Sequence, residues 1–174
     1  LGVLAGLAGV AYNWLVMRSR AIVDVSRFPR EVRAGSVGAT VGVVGFYAPD
    51  LIGGGDVLTQ NALLGTGTVT LVVVVLLART ILGVISCAAG TPGGLFAPML
   101  VLGSHLGLLV GLVAQALAAG WGPQPDALAL IGMAAFFTAT VRAPVTGVVL
   151  ATELTGGTNQ LLPMLGARPA LGRL

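Results

Sequence analysis

The run "GTPGGLFAPM", Gly90 to Met99, places three glycines and two prolines within ten residues. Such a composition ends regular secondary structure. It nevertheless sits in the most apolar part of a strongly apolar chain. Gly93 and Gly94 can take backbone angles closed to other residues. Pro98 suits the first turn of a helix beginning near Phe96, where an N–H has no intrahelical partner in any case. The run therefore encodes a glycine loop, with Pro92 as a further breaker, leading into a helix N-terminus. That end presents unpaired N–H groups and roughly half a positive charge, and its natural ligand is an anion. No arginine or lysine lies in the run. Partial charges attract an ion yet release it, whereas a full cation in a low-dielectric site would hold it.

Outward from that run, the composition fixes the class. The 174 residues are 56% hydrophobic and 9% charged, with a mean hydropathy of +0.98. Soluble domains carry roughly a quarter charged residues, so the chain reads as an all-α, polytopic membrane protein of tilted and broken helices in a lipid bilayer. Abundant glycine without a collagen period suits close helix packing in lipid. The net charge of +3 comes from arginine alone, because the chain contains no lysine. Arg18, Arg20, Arg27, Arg30 and Arg33 form a polar stretch expected as a positive-inside loop facing the cytoplasm. Without interleaved aromatics, this is no nucleic-acid surface. Cys87 has no internal disulfide partner and reads as a small buried residue. With one His and one Cys, neither a metal cluster nor a nucleophile–base pair is expected, so the chain reads as no enzyme, with no cofactor. The first residue lies inside an apolar segment, and the natural start is expected to lie further upstream.

The segments follow from breakers and apolar runs. Leu1 to Met17 covers most of a span. Ala34 to Pro49 carries Gly35, Gly38, Gly42 and Gly45 at helical spacing, a stripe expected to admit a close neighbour. It ends at "APDLIGGGD", where Pro49 and three glycines break the helix. Val57 to Leu64 is too short to cross. Thr66 to Ala89 and Phe96 to Ala118 approach or exceed the roughly 20 residues a spanning helix needs, the latter with Gly103, Gly107 and Gly111 in a stripe. "GWGPQP" turns the chain. Asp126 to Thr140 and Ala143 to Leu154 are shorter helices separated by "VRAP", and "TGGTNQ" closes the second. Leu161 to Leu165 begins a further element. Uneven, broken helices of this kind point to a transport site.

Three stretches together carry a family resemblance. "GTPGGLFAPMLVLGSHLG" (90–107) resembles the signature of the CLC voltage-gated chloride channels and chloride–proton antiporters, approximately G-x-P-G-G-[IL]-F-x-P-x-[LM]-x-x-G. "GFYAPDLIGGGD" (45–56) resembles the family's upstream glycine-rich break. "IGMAAFFTATVRAPVTGVVLATELTGGTNQLLPM" (131–164) resembles its later helix–break–helix, with the R-A-P and T-E-[LM]-T elements. The resemblance implies a membrane domain of two inverted-topology halves, usually a homodimer, with chloride as the transported ion. By the same resemblance, residues 1–174 look like the second half. The G-S-G-I-P and G-[KR]-E-G-P motifs of the first half are absent, and so are the final helix and its pore tyrosine. The tail "GARPALGRL" departs from the family pattern.

Carried over residue by residue, the resemblance implies that the N–H groups of Leu95 and Phe96 bind chloride, with Gly93 and Gly94 shaping the approach. The carboxylates that distinguish channel from antiporter belong to the first half, so this chain does not separate the two. The alternative is a non-conducting membrane scaffold or dimerisation fragment.

Other polar residues have two readings each. Glu153 is a proton-transfer carboxylate or, as favoured, a hydrogen-bonded structural acid. Arg142, just before Pro144, is expected to interact with the carbonyls ending the preceding helix. It stands about 16 Å from Glu153 along a helix, too far for a direct pair. Arg79 lines an anion vestibule, faces the bundle or snorkels. His105 is packed and hydrogen-bonded rather than pH-sensing. "GGGD" (53–56) is a helix break rather than a phosphate loop, because it lacks the Lys and the strand–loop–helix context.

Overall fold

A computed structural model describes residues 1–25, 29–52, 54–88, 96–117, 124–143, 145–147, 149 and 153. Among them every regular element is a helix: α1 (Gly2–Val25), α2 (Arg30–Tyr47), a 3-10 turn (Pro49–Leu51), α3 (Asp56–Leu63), α4 (Val69–Ala88), α5 (Phe96–Leu117) and α6 (Pro125–Val141). Residues 145–147 begin a further helical turn, in which the Gly147 N–H donates to the Ala143 carbonyl at 3.1 Å.

Proline and glycine set most of the ends. Pro29 precedes α2 with φ −55° and ψ 145°, an extended setting that the fixed proline ring accepts. Ala48 leaves helical geometry (φ −145°, ψ 75°) because it precedes Pro49, whose ring disfavours the α region one residue earlier. Pro49 then opens the 3-10 turn. Gly55 stands at the N-cap of α3 with φ 77°, a left-handed position that glycine occupies without steric cost. Pro125 occupies the first turn of α6, where its missing N–H costs no bond.

One sequence expectation is corrected here. Arg18, Arg20, Arg30 and Arg33 lie in helices rather than in a loop. α1 continues through Arg18 and Arg20 to Val25, and α2 already begins at Arg30, so Arg33 lies in its first turn. No proline or glycine interrupts residues 10–25, and arginine is itself a good helix former. Charge alone does not stop a helix. Arg27 lies outside the described residues.

The core forms around α6, which is apolar on all sides and therefore buried on most of them. α5 packs along one flank of α6, α1 along another, α4 lies against α5 and α1, and α3 lies against α5 and α6. The α5–α6 seam is a backbone-to-backbone contact. A Cβ added at Gly103 would lie 2.7 Å from the Met133 Cα, and one at Gly111 would lie 2.7 Å from the Pro125 Cα. At Gly107 it would strike the Leu128 carbonyl, and at Gly132 it would lie 2.6 Å from the Gly103 carbonyl oxygen. The expected stripe on α5 is thus the seam itself, matched by a glycine from the other helix.

α1 meets α6 through Gly9, whose added Cβ would sit 2.7 Å from that of Ala139. The Asn13 Nδ2 donates to the Thr140 carbonyl at 3.1 Å. Tyr12 makes an edge-to-face contact with Phe136, with centroids 6.0 Å apart, and its hydroxyl lies over Gly83 of α4.

The stripe on α2 behaves differently. Among the described residues, a Cβ added at Gly35, Gly38 or Gly42 would meet no atom within 4 Å, and Gly45 alone of the four has a close neighbour, Ile52. Among the described residues the expected close helix is not there. α2 touches only the 3-10 turn and α4 to any extent.

Among the described residues, two helices are long and apolar enough to cross a bilayer, Val69–Cys87 within α4 and Phe96–Leu117. Along α4, Leu71, Val74, Leu77 and Ile81 form one exposed face at three- and four-residue spacing. An apolar face of that length suits hydrocarbon. α6, with 17 residues, extends about 25 Å and falls short of a full span.

Candidate functional site

α5 opens at Phe96. In its first turn the N–H groups of Phe96 and Ala97 have no carbonyl four residues back within the helix, and Pro98, the third residue, has no N–H to leave unpaired. The proline therefore lies where the sequence predicts. Leu95, Gly93, Gly94 and Pro92 lie outside the described residues, as does Pro144.

Two side chains and one turn frame this helix end. The Phe96 ring, 41% exposed, packs edge-to-face on Phe137 of α6, with centroids 4.8 Å apart and planes at 69°. That geometry suits the ring quadrupoles and ties the start of α5 to the buried α6. From the other side comes the turn before α3: a Cβ added at Gly54 would lie 3.7 Å from the Ala97 Cβ and 3.5 Å from the Asp56 Oδ1. The helix end thus has an aromatic wall, a glycine turn and a nearby carboxylate.

Arg79 supports that turn. It lies on α4, only 5% exposed, and faces the bundle. Its Nη2 donates to the Asp50 carbonyl at 3.5 Å, a long contact, and its guanidinium lies against Gly55. A Cβ at Gly55 would also come within 2.6 Å of Val101. Glycine is thus required there twice, for φ and for the space that Arg79 takes. Of the three readings of Arg79, burial selects the bundle-facing one. "GGGD" is a helix break, with Gly55 as the N-cap of α3.

His105 is buried on α5, with Nδ1 2.9 Å from the Val101 carbonyl. A carbonyl only accepts, so Nδ1 carries the proton in this arrangement. The packed, hydrogen-bonded reading holds for it. Ser104, fully buried beside it, donates to the same carbonyl at 3.0 Å.

Arg142 ends α6 with φ 59°, the one non-glycine residue at positive φ among those described. Its backbone N–H donates to the Thr138 carbonyl at 2.9 Å, closing the helix end. The expected interaction with those carbonyls is made by the main chain. Glu153 is helical and exposed, and Cys87 is buried. Among the described residues no group of three or more His, Cys, Asp or Glu comes together.

Phe137 escapes sequence reasoning. Phe136 and Phe137 are adjacent and equally apolar. Successive helical residues point about 100° apart, so only one of them reaches Phe96 while the other packs on Tyr12. Which does so depends on how α6 is rotated against α5 and α1.

A sequence profile described as "Voltage gated chloride channel" matches residues 1–168. The chain is 35% identical over 171 residues to the H(+)/Cl(-) exchange transporter ClcA of Salmonella paratyphi A, a match covering 95% of this chain and 36% of that protein. With ClcA of Klebsiella pneumoniae (strain 342) it shares 37% over 169 residues, again 95% of this chain and 36% of the relative. The fold superposes on the crystal structure of a slow cyanobacterial Cl-/H+ antiporter with a TM-score of 0.88 and 28% identity, covering 98% of this chain and 40% of the other. The chain therefore spans between a third and two fifths of the length of the proteins it matches. A profile match over almost the whole chain, with the helices laid out as in an antiporter, makes this chain a member of the CLC chloride channel and H+/Cl- exchanger family, a family of membrane transport proteins rather than enzymes.

Proposed function

We propose that this chain is the second half of a CLC-type membrane domain and forms one wall of a chloride pathway. The observation that carries the reading is the start of α5, where two first-turn N–H groups and a proline follow the glycine–proline run. The anion accepts from the N–H groups of Leu95 and Phe96, and Gly93 and Gly94 let it approach. A halide held by partial charges exchanges quickly. Its desolvation is offset by the helix dipole and by N–H donors worth about 1.5–3 kcal/mol each toward a charge. Pro92, Pro144 and Glu153 hold the broken helices in shape. The relatives' names support transport coupled to protons in the complete protein, which we place in the cell membrane as a multi-pass homodimer.

The test is chloride binding and flux in liposomes, with this chain supplied together with the remainder of a CLC membrane domain. Phe96→Pro removes one donor at a position where proline fits a helix start, and Phe96→Ala keeps the donor while losing the ring. We expect the proline variant to bind chloride at least about tenfold more weakly than the alanine variant. Equal affinities would remove the Phe96 N–H from the site. Absence of any anion flux from the combined protein would favour the scaffold reading.

A further inference from the structure

Three elements meet at Gly55. A Cβ built there would strike the Arg79 Nη2, lie 3.0 Å from its Cζ and come within 2.6 Å of the Val101 Cγ2. The guanidinium thus fills the space beneath the turn before α3, beside the second turn of α5. Around it, Leu58 of α3, Val75 of α4 and Val101 of α5 form one apolar cluster, with Leu51 of the 3-10 turn packed against it. Val75 stands one turn before Arg79, so one face of α4 supplies both the apolar contact and the cation. A charge inside an apolar helix is costly and usually faces the bundle interior. Arg79 does so, directed towards the Asp50 carbonyl at the other end of the turn.

Gly54, one residue back, lies beside the start of α5. A Cβ added there would lie 3.7 Å from that of Ala97 and no closer than 3.5 Å to any other atom. The turn therefore stands one methyl group away from the helix end, next to Phe96. What lies under Gly55 sets that distance from beneath. We propose that Arg79 is a positioning residue that sets the size of anion the start of α5 accepts. It does so by the bulk of its guanidinium under the turn, not by its charge. The proposal rests on the reading of this helix end as the anion site.

The test compares chloride with iodide, which share a charge and differ in size. Coulomb attraction depends on charge and distance, so losing a charge at Arg79 weakens both anions together, whereas moving the turn changes their ratio. Both dissociation constants are measured by titration calorimetry on this chain supplied together with the remainder of a CLC membrane domain. An unfolded fraction lowers the stoichiometry and leaves the constants unchanged. Arg79→Lys keeps the charge and Arg79→Gln loses it, while both lose the planar guanidinium. We expect both to shift the ratio towards iodide by about three- to tenfold, no more than one methylene contributes in a closed pocket. Gly54→Ala fills the gap to Ala97 and should shift the ratio the other way. Three results overturn the proposal: a ratio unchanged in both Arg79 variants, including parallel weakening or loss of both anions; a shift in the glutamine variant alone, which would mean charge; or a shift towards iodide in Gly54→Ala. Absence of chloride binding by the unaltered protein would instead overturn the reading of the helix end itself, and this proposal with it.

Discussion

The glycines of α5 recur every four residues and those of α2 every three or four, both at helical spacing, yet they have opposite surroundings. Along α5, Gly103, Gly107 and Gly111 press against the backbone of α6, leaving no room for a methyl group. Along α2, Gly35, Gly38 and Gly42 meet nothing among the described residues. A small-residue stripe removes the steric barrier to close approach, but it supplies no partner. α5 has one because α6 offers Gly132 and Ala129 at the matching heights, and because α6 is apolar on every side. α2 carries Arg30, Glu31 and Arg33 at its start and makes few contacts with the rest. Spacing is a permission, and complementarity decides whether it is used.

The contrast can be broken at its strongest point first. Gly107→Leu would drive a side chain into the Leu128 carbonyl and the Ala129 Cα, neither of which can yield. We expect a loss of about 3 kcal/mol or more in unfolding titrations in mixed micelles. A loss below about 1 kcal/mol would show that the seam slides apart easily. Next comes Tyr12, a buried residue whose hydroxyl finds no acceptor among the described residues. Tyr12→Phe removes that unsatisfied group and keeps the edge-to-face contact with Phe136. A gain of about 1 kcal/mol is expected in the same titration, and a loss would reveal a partner for the hydroxyl. The smallest effect is at Gly38→Ala, where glycine costs the helix about 0.5–1 kcal/mol relative to alanine. Stability should rise by up to that amount, opposite in sign to Gly107. A fall would mean that α2 has a close neighbour after all.

Much of the fold was legible because its punctuation is chemical. Pro49, Gly55, Pro98 and Pro125 each act through their own backbone restrictions or freedoms, and each stands at a helix end. The short α3 and the length of α5 followed from the same reasoning. The arginine stretch misled for a definite reason. Charged residues mark where a chain meets water, and a helix can carry its hydrogen bonds into that region unbroken. At the site, Phe96 and Pro98 were readable as the start of a helix. Phe137 was not, because contact with Phe96 depends on how two helices are rotated against each other. Arg79 had three sequence readings, and only its burial beneath the Gly54–Asp56 turn chose among them.

By itself the sequence determined that this is an all-helical membrane protein of the CLC type, with a helix beginning at Phe96 after a run rich in glycine and proline. Those features reside in single residues and their immediate neighbours, where backbone chemistry is local. The tertiary structure decided which glycine stripe is a seam, where Arg79 is directed and which phenylalanine frames the helix end. Each of those depends on what another helix presents at the same height, and that match is a property of two surfaces in contact.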